Sequence, residues 1–244
     1  MRPIVFFSAA CFVLLQSPAI AQESTEAADK PLAVTGDFSY VSTSGNSEAQ
    51  TLAGTEKLEQ RSGSWLFTQE AGAVYGTSAG VENAGRYRFN LRADREISQR
   101  VAVYGLTSWT RNPFGAVARR FDEGIGIVGH VITPEPNLLD VEAGAGLAQR
   151  RTTEGEDENF ATGRLATLYR HTFRPKTYFE LEGVYLHDFE HTNDYETQSR
   201  ASLVAAVSNL MAVKVGYTYL YRNEPPAGIK NYDATFATGI QLTF

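Results

Sequence analysis

The sequence predicts an all-β fold, a twelve-stranded antiparallel barrel that crosses a membrane. Three observations carry it: twelve consecutive runs with period-two patterning, connections that alternate between short and long, and a final run ending on an aromatic residue. The runs are 32–42, 47–60, 64–77, 85–97, 100–111, 118–132, 138–151, 159–173, 177–190, 195–208, 211–222 and 231–244. Each is long enough to cross a bilayer as a tilted strand, which takes roughly 9–11 residues.

In the first run Leu32, Val34, Phe38 and Tyr40 share one face. A tight turn, "TSGN" at 43–46, leads to the second run, and "RSGS" at 61–64 to the third. "SAGVENAG" at 78–85 is a long connection into the fourth. There Tyr87, Phe89, Leu91, Ala93 and Ile97 alternate with Arg86, Arg88, Asn90, Arg92, Asp94 and Glu96. "SQR", "NPFGAV", "TPEPN", "TTEGEDEN" and "RPK" separate the fourth to ninth runs. The ninth sets Phe179, Leu181, Tyr185 and Phe189 against Glu180, Glu182, Asp188 and Glu190. After "HTND" and "NLM" the eleventh sets Val213, Val215, Tyr217, Tyr219 and Tyr221 against Lys214, Gly216, Thr218 and Arg222. "NEPPAGIK" leads to the twelfth, whose even residues Tyr232, Phe236, Ile240, Leu242 and Phe244 are apolar. The second, fifth and tenth runs alternate poorly. Aromatics near run ends (Tyr75, Tyr87, Phe173, Phe179, Phe189, Tyr221, Tyr232, Phe244) are placed as interfacial girdles. In lipid every backbone group must be paired, so the sheet has to close, last strand against first.

The chain start fits an exported protein. "MRPIVFFSAACFVLLQSPAIAQ" has a basic residue, an apolar stretch too short to span, and Ala19-Ile20-Ala21, which reads as a signal peptide over 1–21. Residues 22–31 form a short acidic periplasmic tail and 32–244 the barrel. The one cysteine, Cys11, lies in the signal, so disulfide, thiolate and cysteine–zinc chemistry are excluded from the mature chain. A formal charge of −6 argues against nucleic acid as a partner. With an even strand number both termini lie on one side with the short turns. That is the periplasmic arrangement of bacterial outer-membrane barrels, whose partners are the lipid bilayer and lipopolysaccharide.

Two stretches carry a resemblance. "STSGNSEAQTL" (42–52) and "YLYRNEPPAGIKNYDATFATGIQLTF" (219–244) resemble the YdiY-like salt-induced outer membrane protein family, a domain of unknown function. The resemblance covers 32–244 and implies an outer-membrane barrel. It brings no catalytic residues, and only the family name suggests a role under osmotic or salt stress. "GIQLTF" resembles the C-terminal insertion signal of outer-membrane proteins, with Gly239, Leu242 and Phe244 in place, and Ala237 where a polar residue is usual. That implies the barrel assembly machinery as a partner.

Several motifs could carry chemistry. "GIGIVG" (124–129) fits a dinucleotide fingerprint, but it opens no helix; with Gly144 and Gly146 it reads as strand glycines that relieve crowding. His187 and His191 stand roughly 13 Å apart on a strand and cannot share one ion. An outward His187 opposite Ser199 or Thr197 is the geometry a lipid-modifying serine enzyme would use. The four acids of "TTEGEDEN" (Glu154, Glu156, Asp157, Glu158) are a solvated loop or a divalent-ion bridge to lipopolysaccharide. The inward charges are the main candidate site. Arg86, Arg88 and Arg92 on the fourth strand are expected to face Glu180, Glu182, Asp188 and Glu190 on the ninth across the lumen, setting ion selectivity. The alternative is lateral neutralisation by Arg164 and Arg170, up to a plugged lumen. The reading is a narrow diffusive channel for ions or small polar solutes, with no catalytic residues, no metal and no cofactor. A closed barrel with a structural envelope role is the alternative.

Overall fold

The computed structural model describes residues 32–43, 49–191, 193–225 and 229–244. Twelve strands follow one another: β1 Leu32–Thr43, β2 Ala49–Ser62, β3 Trp65–Ser78, β4 Val81–Ser98, β5 Val101–Asn112, β6 Val117–Ile132, β7 Asn137–Thr152, β8 Asp157–Arg174, β9 Thr177–Asp188, β10 Tyr195–Ala206, β11 Met211–Arg222 and β12 Tyr232–Thr243. Each pairs antiparallel with its neighbours in sequence, and β1 pairs with β12 to close the barrel. The expected signal segment at 1–21, the expected tail at 22–31 and most of the turn at 43–46 lie outside the described residues.

The strand bounds follow the alternation to within a few residues, with one correction. The long connection expected at 78–85 is a two-residue turn, Ala79-Gly80, with φ of 50° and 75°. Two successive positive φ values give the primed turn that matches strand twist. β4 therefore starts at Val81, past an irregularity in its pairing with β3 at Gly76/Thr77. Longer connections at 189–194 and 223–231 mark one rim, here the long-connection rim; the turns at 63–64, 99–100 and 175–176 mark the other.

Burial is inverted relative to a water-soluble sandwich. Arg150 is 7% exposed and Asp188 4%, whereas Ile125 is 73% and Phe236 68% exposed. Apolar side chains are the outer surface and charges are the interior, which suits hydrocarbon outside and water inside. Outer-face aromatics stack along the long-connection rim: Tyr185–Tyr195 at 5.7 Å, Tyr195–Tyr221 at 6.0 Å and Tyr219–Tyr232 at 5.9 Å between ring centroids. Trp65–Phe67 (5.9 Å) and His171–Phe173 (4.7 Å) sit near the other rim.

The glycines of "GIGIVG" have a packing role. Gly124 faces Gly146 and Gly126 faces Gly144 in the β6–β7 register. All four present no side chain to the lumen, and the Tyr104 ring from β5 lies over Gly126 and Gly144. A Cβ on Gly126 would stand 2.6 Å from the Tyr104 Cζ. Tyr104 packs with Ala102, Val128 and Leu106 in the one small apolar cluster inside the barrel among the described residues.

Candidate functional site

A cavity of about 590 Å³ occupies the lumen. Its lining runs from Glu59, Glu96 and His130, near the short-turn rim, to Asn112, Pro225 and Lys230 at the other. Pro225 and Ile229 bring the ends of the Pro-Pro-Ala-Gly loop to its mouth; residues 226–228 lie outside the described residues.

Alternation delivers the expected charges to the lumen, and closure decides their partners. Arg92 donates to Asp94 on its own strand at 2.7–3.0 Å and reaches Glu142 on β7 at 2.9 Å. It also lies 4.3 Å over the Tyr104 ring. Arg164 takes the other side of Glu142 at 3.4 Å. Arg86 spans to Asp233 on β12 at 3.3 Å. Arg88 makes no hydrogen bond or ion pair among the described residues, and the charges that act on it are Arg200, Glu70, Glu182 and Arg86. On the acidic side, Glu180 pairs with Arg170 of β8 at 2.5 Å and Glu182 with Arg200 of β10 at 2.9 Å. Asp188 ends its strand and accepts from the backbone N–H groups of Glu190 and His191 at 2.8 and 3.0 Å. Glu190 stands beyond the strand end and is exposed. Glu180 and Glu182 are thus met by lateral arginines and Asp188 by backbone N–H groups, and Arg88 is the ladder cation left facing the lumen.

A denser cluster fills the lumen near the long-connection rim. Arg120 of β6 reaches across to Glu196 of β10, donating from Nη1 to both carboxylate oxygens at 3.0 Å, and pairs with Asp122 at 2.8 Å. Arg150 of β7 bonds Glu158 and stands 3.6 Å from Asp194. Arg222 of β11 joins Asp194 at 3.1 Å and Glu196 at 3.7 Å. The Phe160 ring lies beneath two of these guanidiniums, 5.0 Å from Arg150 and 5.7 Å from Arg120. Sequence reasoning passed over these residues. Their signal was the inward parity of Arg120, Arg150 and Glu196, but which acid meets which arginine depends on strands far apart in the chain. Two of the four acids of the 152–159 segment are also matched: Glu158 by Arg150, and Asp157 by Arg151 at 3.4 Å.

The outward serine–histidine idea is overturned by register. His187 pairs with Tyr195, and Ser199 with Gly183, four residues further along. That separates the two by roughly 13 Å. Thr197 faces Tyr185 instead. His187 sits among aromatics, 5.4 Å from the Phe189 ring.

A model of the family described as "Protein of unknown function, DUF481" matches residues 36–244. No curated protein matches the chain in sequence. Among solved structures, the NanC porin superposes with a TM-score of 0.50 at 11% identity, covering 87% of this chain and 97% of that one. The translocator domain of autotransporter NalP from Neisseria meningitidis gives 0.48 at 14% identity, covering 87% and 86%. The KdgM porin gives 0.45 at 10%, covering 87% and 99%. At these identities the NanC likeness speaks to the fold, a closed β-barrel.

Proposed function

This chain belongs to the DUF481 family of proteins of unknown function, and from that premise we propose that it is a bacterial outer-membrane barrel forming a narrow, diffusive channel for ions or small polar solutes. The observation that supports this most is the lumen cavity, whose charged and polar lining extends between the two rims. Water and small solutes suit such a lining, and the apolar outer surface with its aromatic rims suits a bilayer. In this reading the short turns face the periplasm and the Pro-Pro-Ala-Gly loop faces outward, beside lipopolysaccharide. The terminal strand from Gly239 to Phe244 is what the assembly machinery would read.

Selectivity rests on Arg88, because the other ladder charges within β4 and β9 are already compensated. One unit charge about 7 Å from an ion's path is worth about 0.6 kcal/mol in water, a factor of about 3 before screening. Single-channel recording of refolded protein in a planar bilayer is expected to give discrete steps. Arg88→Ala is expected to shift the anion-to-cation permeability ratio toward cations by about twofold. Arg92→Ala should leave more acid uncovered at Asp94 and Glu142, and shift it the same way.

The cross-lumen cluster around Arg120, Arg150 and Glu196 favours a second reading, a closed barrel with a structural role in the envelope, including under osmotic or salt stress. Silence from protein shown to be folded would sink the channel and leave this reading standing.

A further inference from the structure

The barrel wall is not equally sealed all the way round. β1 pairs with β2 along its whole length, from Leu32 opposite Gln60 to Thr43 opposite Ala49. β12 pairs with β11 from Leu242 opposite Met211 to Tyr232 opposite Tyr221. Between β1 and β12, however, the register holds only Thr35, Gly36, Asp37 and Phe38 against Thr243, Leu242, Gln241 and Ile240. Below this, Val34 and Phe244 exchange backbone bonds. Continued upward, the same register would set Ser39 opposite Gly239, Tyr40 opposite Thr238 and Thr43 opposite Thr235. None of these pairs forms among the described residues. From Ser39 on β1 and Gly239 on β12, both strands present free edges toward the long-connection rim.

The gap is a wedge with a fixed apex. Lys214 reaches over Gly239, its partner across β11–β12, to bond Asp37 at 2.5 Å. Gly239 packs so closely on the Phe38 backbone that an added Cβ would lie 3.1 Å from the Phe38 carbonyl carbon. Above the apex, strand parity turns Ser39, Thr235 and Ala237 to the lumen, with Asp233 nearer the rim held by Arg86 at 3.3 Å. On the outside Phe38, Tyr40 and Phe236 stand 58, 55 and 68% exposed.

Unpaired strand edges at hydrocarbon depth are costly unless something polar reaches them. An added strand would need a parallel-sided gap about 10 Å wide, two strand spacings, which a wedge with a bonded apex does not offer. A polar headgroup carrying a hydrocarbon chain fits better. Its head meets the free edges and the charged lumen, and its chain meets the aromatic lips. We propose that the upper half of the β1–β12 seam is a lateral portal at which amphiphiles with an acyl chain dock or pass between the lumen and the adjoining leaflet.

This rests on the reading of the barrel as membrane-embedded, and not on ion conduction. The mature chain has no cysteine, Cys11 lying in the signal, so single cysteines can be labelled cleanly. Full barrels carrying bimane at Thr235→Cys are refolded into phosphatidylcholine vesicles and titrated with lysophosphatidylcholine bearing a brominated acyl chain. Ser39→Cys is a second seam position should the first fold poorly. Ser108→Cys, inward on β5 away from the seam and paired on both sides with Asn90 and Asp122, is the protected control. Phe236→Cys is the lipid-exposed one. The seam label is expected to be quenched saturably, with a loss comparable to the Phe236 label, while the Ser108 label keeps its intensity. Seam labels as protected as Ser108, or quenching without saturation, would overturn the portal. Conductance of the same vesicles reports separately on the channel.

Discussion

Glu196→Ala is expected to destabilise the barrel by about 3 kcal/mol, the low end of what removing one partner of a buried ion pair costs. Glu196 accepts two bonds from Arg120 and stands 3.7 Å from Arg222 and 4.0 Å from Arg150. Arg120 and Arg150 are 8 and 7% exposed. Without Glu196 three guanidiniums share fewer carboxylates in a space water reaches only from the cavity side. Glu196→Gln keeps the volume and loses the charge, and should fall between wild type and Ala. The urea midpoint of the heat-modifiable gel band, read in detergent, measures both. Arg120→Ala/Glu196→Ala should cost less than the sum of the single changes, because each single change strands the other partner. Equal stability of Glu196→Ala and wild type would mean that the cluster is hydrated throughout and holds nothing.

Gly146→Ala is expected to cost about 3 kcal/mol or more, at the upper end of overpacking effects. The added methyl would stand 3.0 Å from the Gly124 Cα and closer still to the Glu123 carbonyl, both backbone atoms held by the sheet. Gly144→Ala meets the Tyr104 hydroxyl and the Ile125 carbonyl, the latter at 2.6 Å. A side chain can swing away where a ladder cannot, so Gly144→Ala should be milder. Adding Tyr104→Ala should recover part of its loss and none of the Gly146→Ala loss. Refolding yield into detergent micelles separates the two cases.

Much of this was legible in the chain. Twelve runs became twelve strands, because alternation between an apolar face and a charged one, repeated twelve times, satisfies both faces when the sheet closes on itself in a membrane. The second, fifth and tenth runs hid their faces for reasons now visible. β2 has Lys57 and Glu59 paired on the inside at 2.9 Å and Glu56 and Gln60 on the outside, so both faces are polar. β5 turns Ala102, Tyr104 and Leu106 inward and Val101 and Val103 outward, so both faces are apolar. β10 mixes small residues on each side. The turn at 79–80 was missed because "AG" can take a primed turn as "NG" does, while "VENAG" read as loop and formed strand. The lumen partners were not legible. Arg86 meets Asp233 and Arg120 meets Glu196 only once a closed sheet sets their separations, and alternation says which way a side chain points without saying what it meets.

The Lys214–Asp37 clamp joins residues 177 positions apart, and Arg86–Asp233 residues 147 apart. Such contacts form only after the ring has closed, when nearly all of the chain's conformational freedom has already been given up. They are late events, absent from the transition state, so their strength should appear in how slowly the barrel opens. Closing so long a loop against a four-pair ladder is a slow step with a small immediate return. Lys214→Ala should accordingly refold at close to the normal rate and unfold faster, with the first rupture at the seam between the ends of the chain.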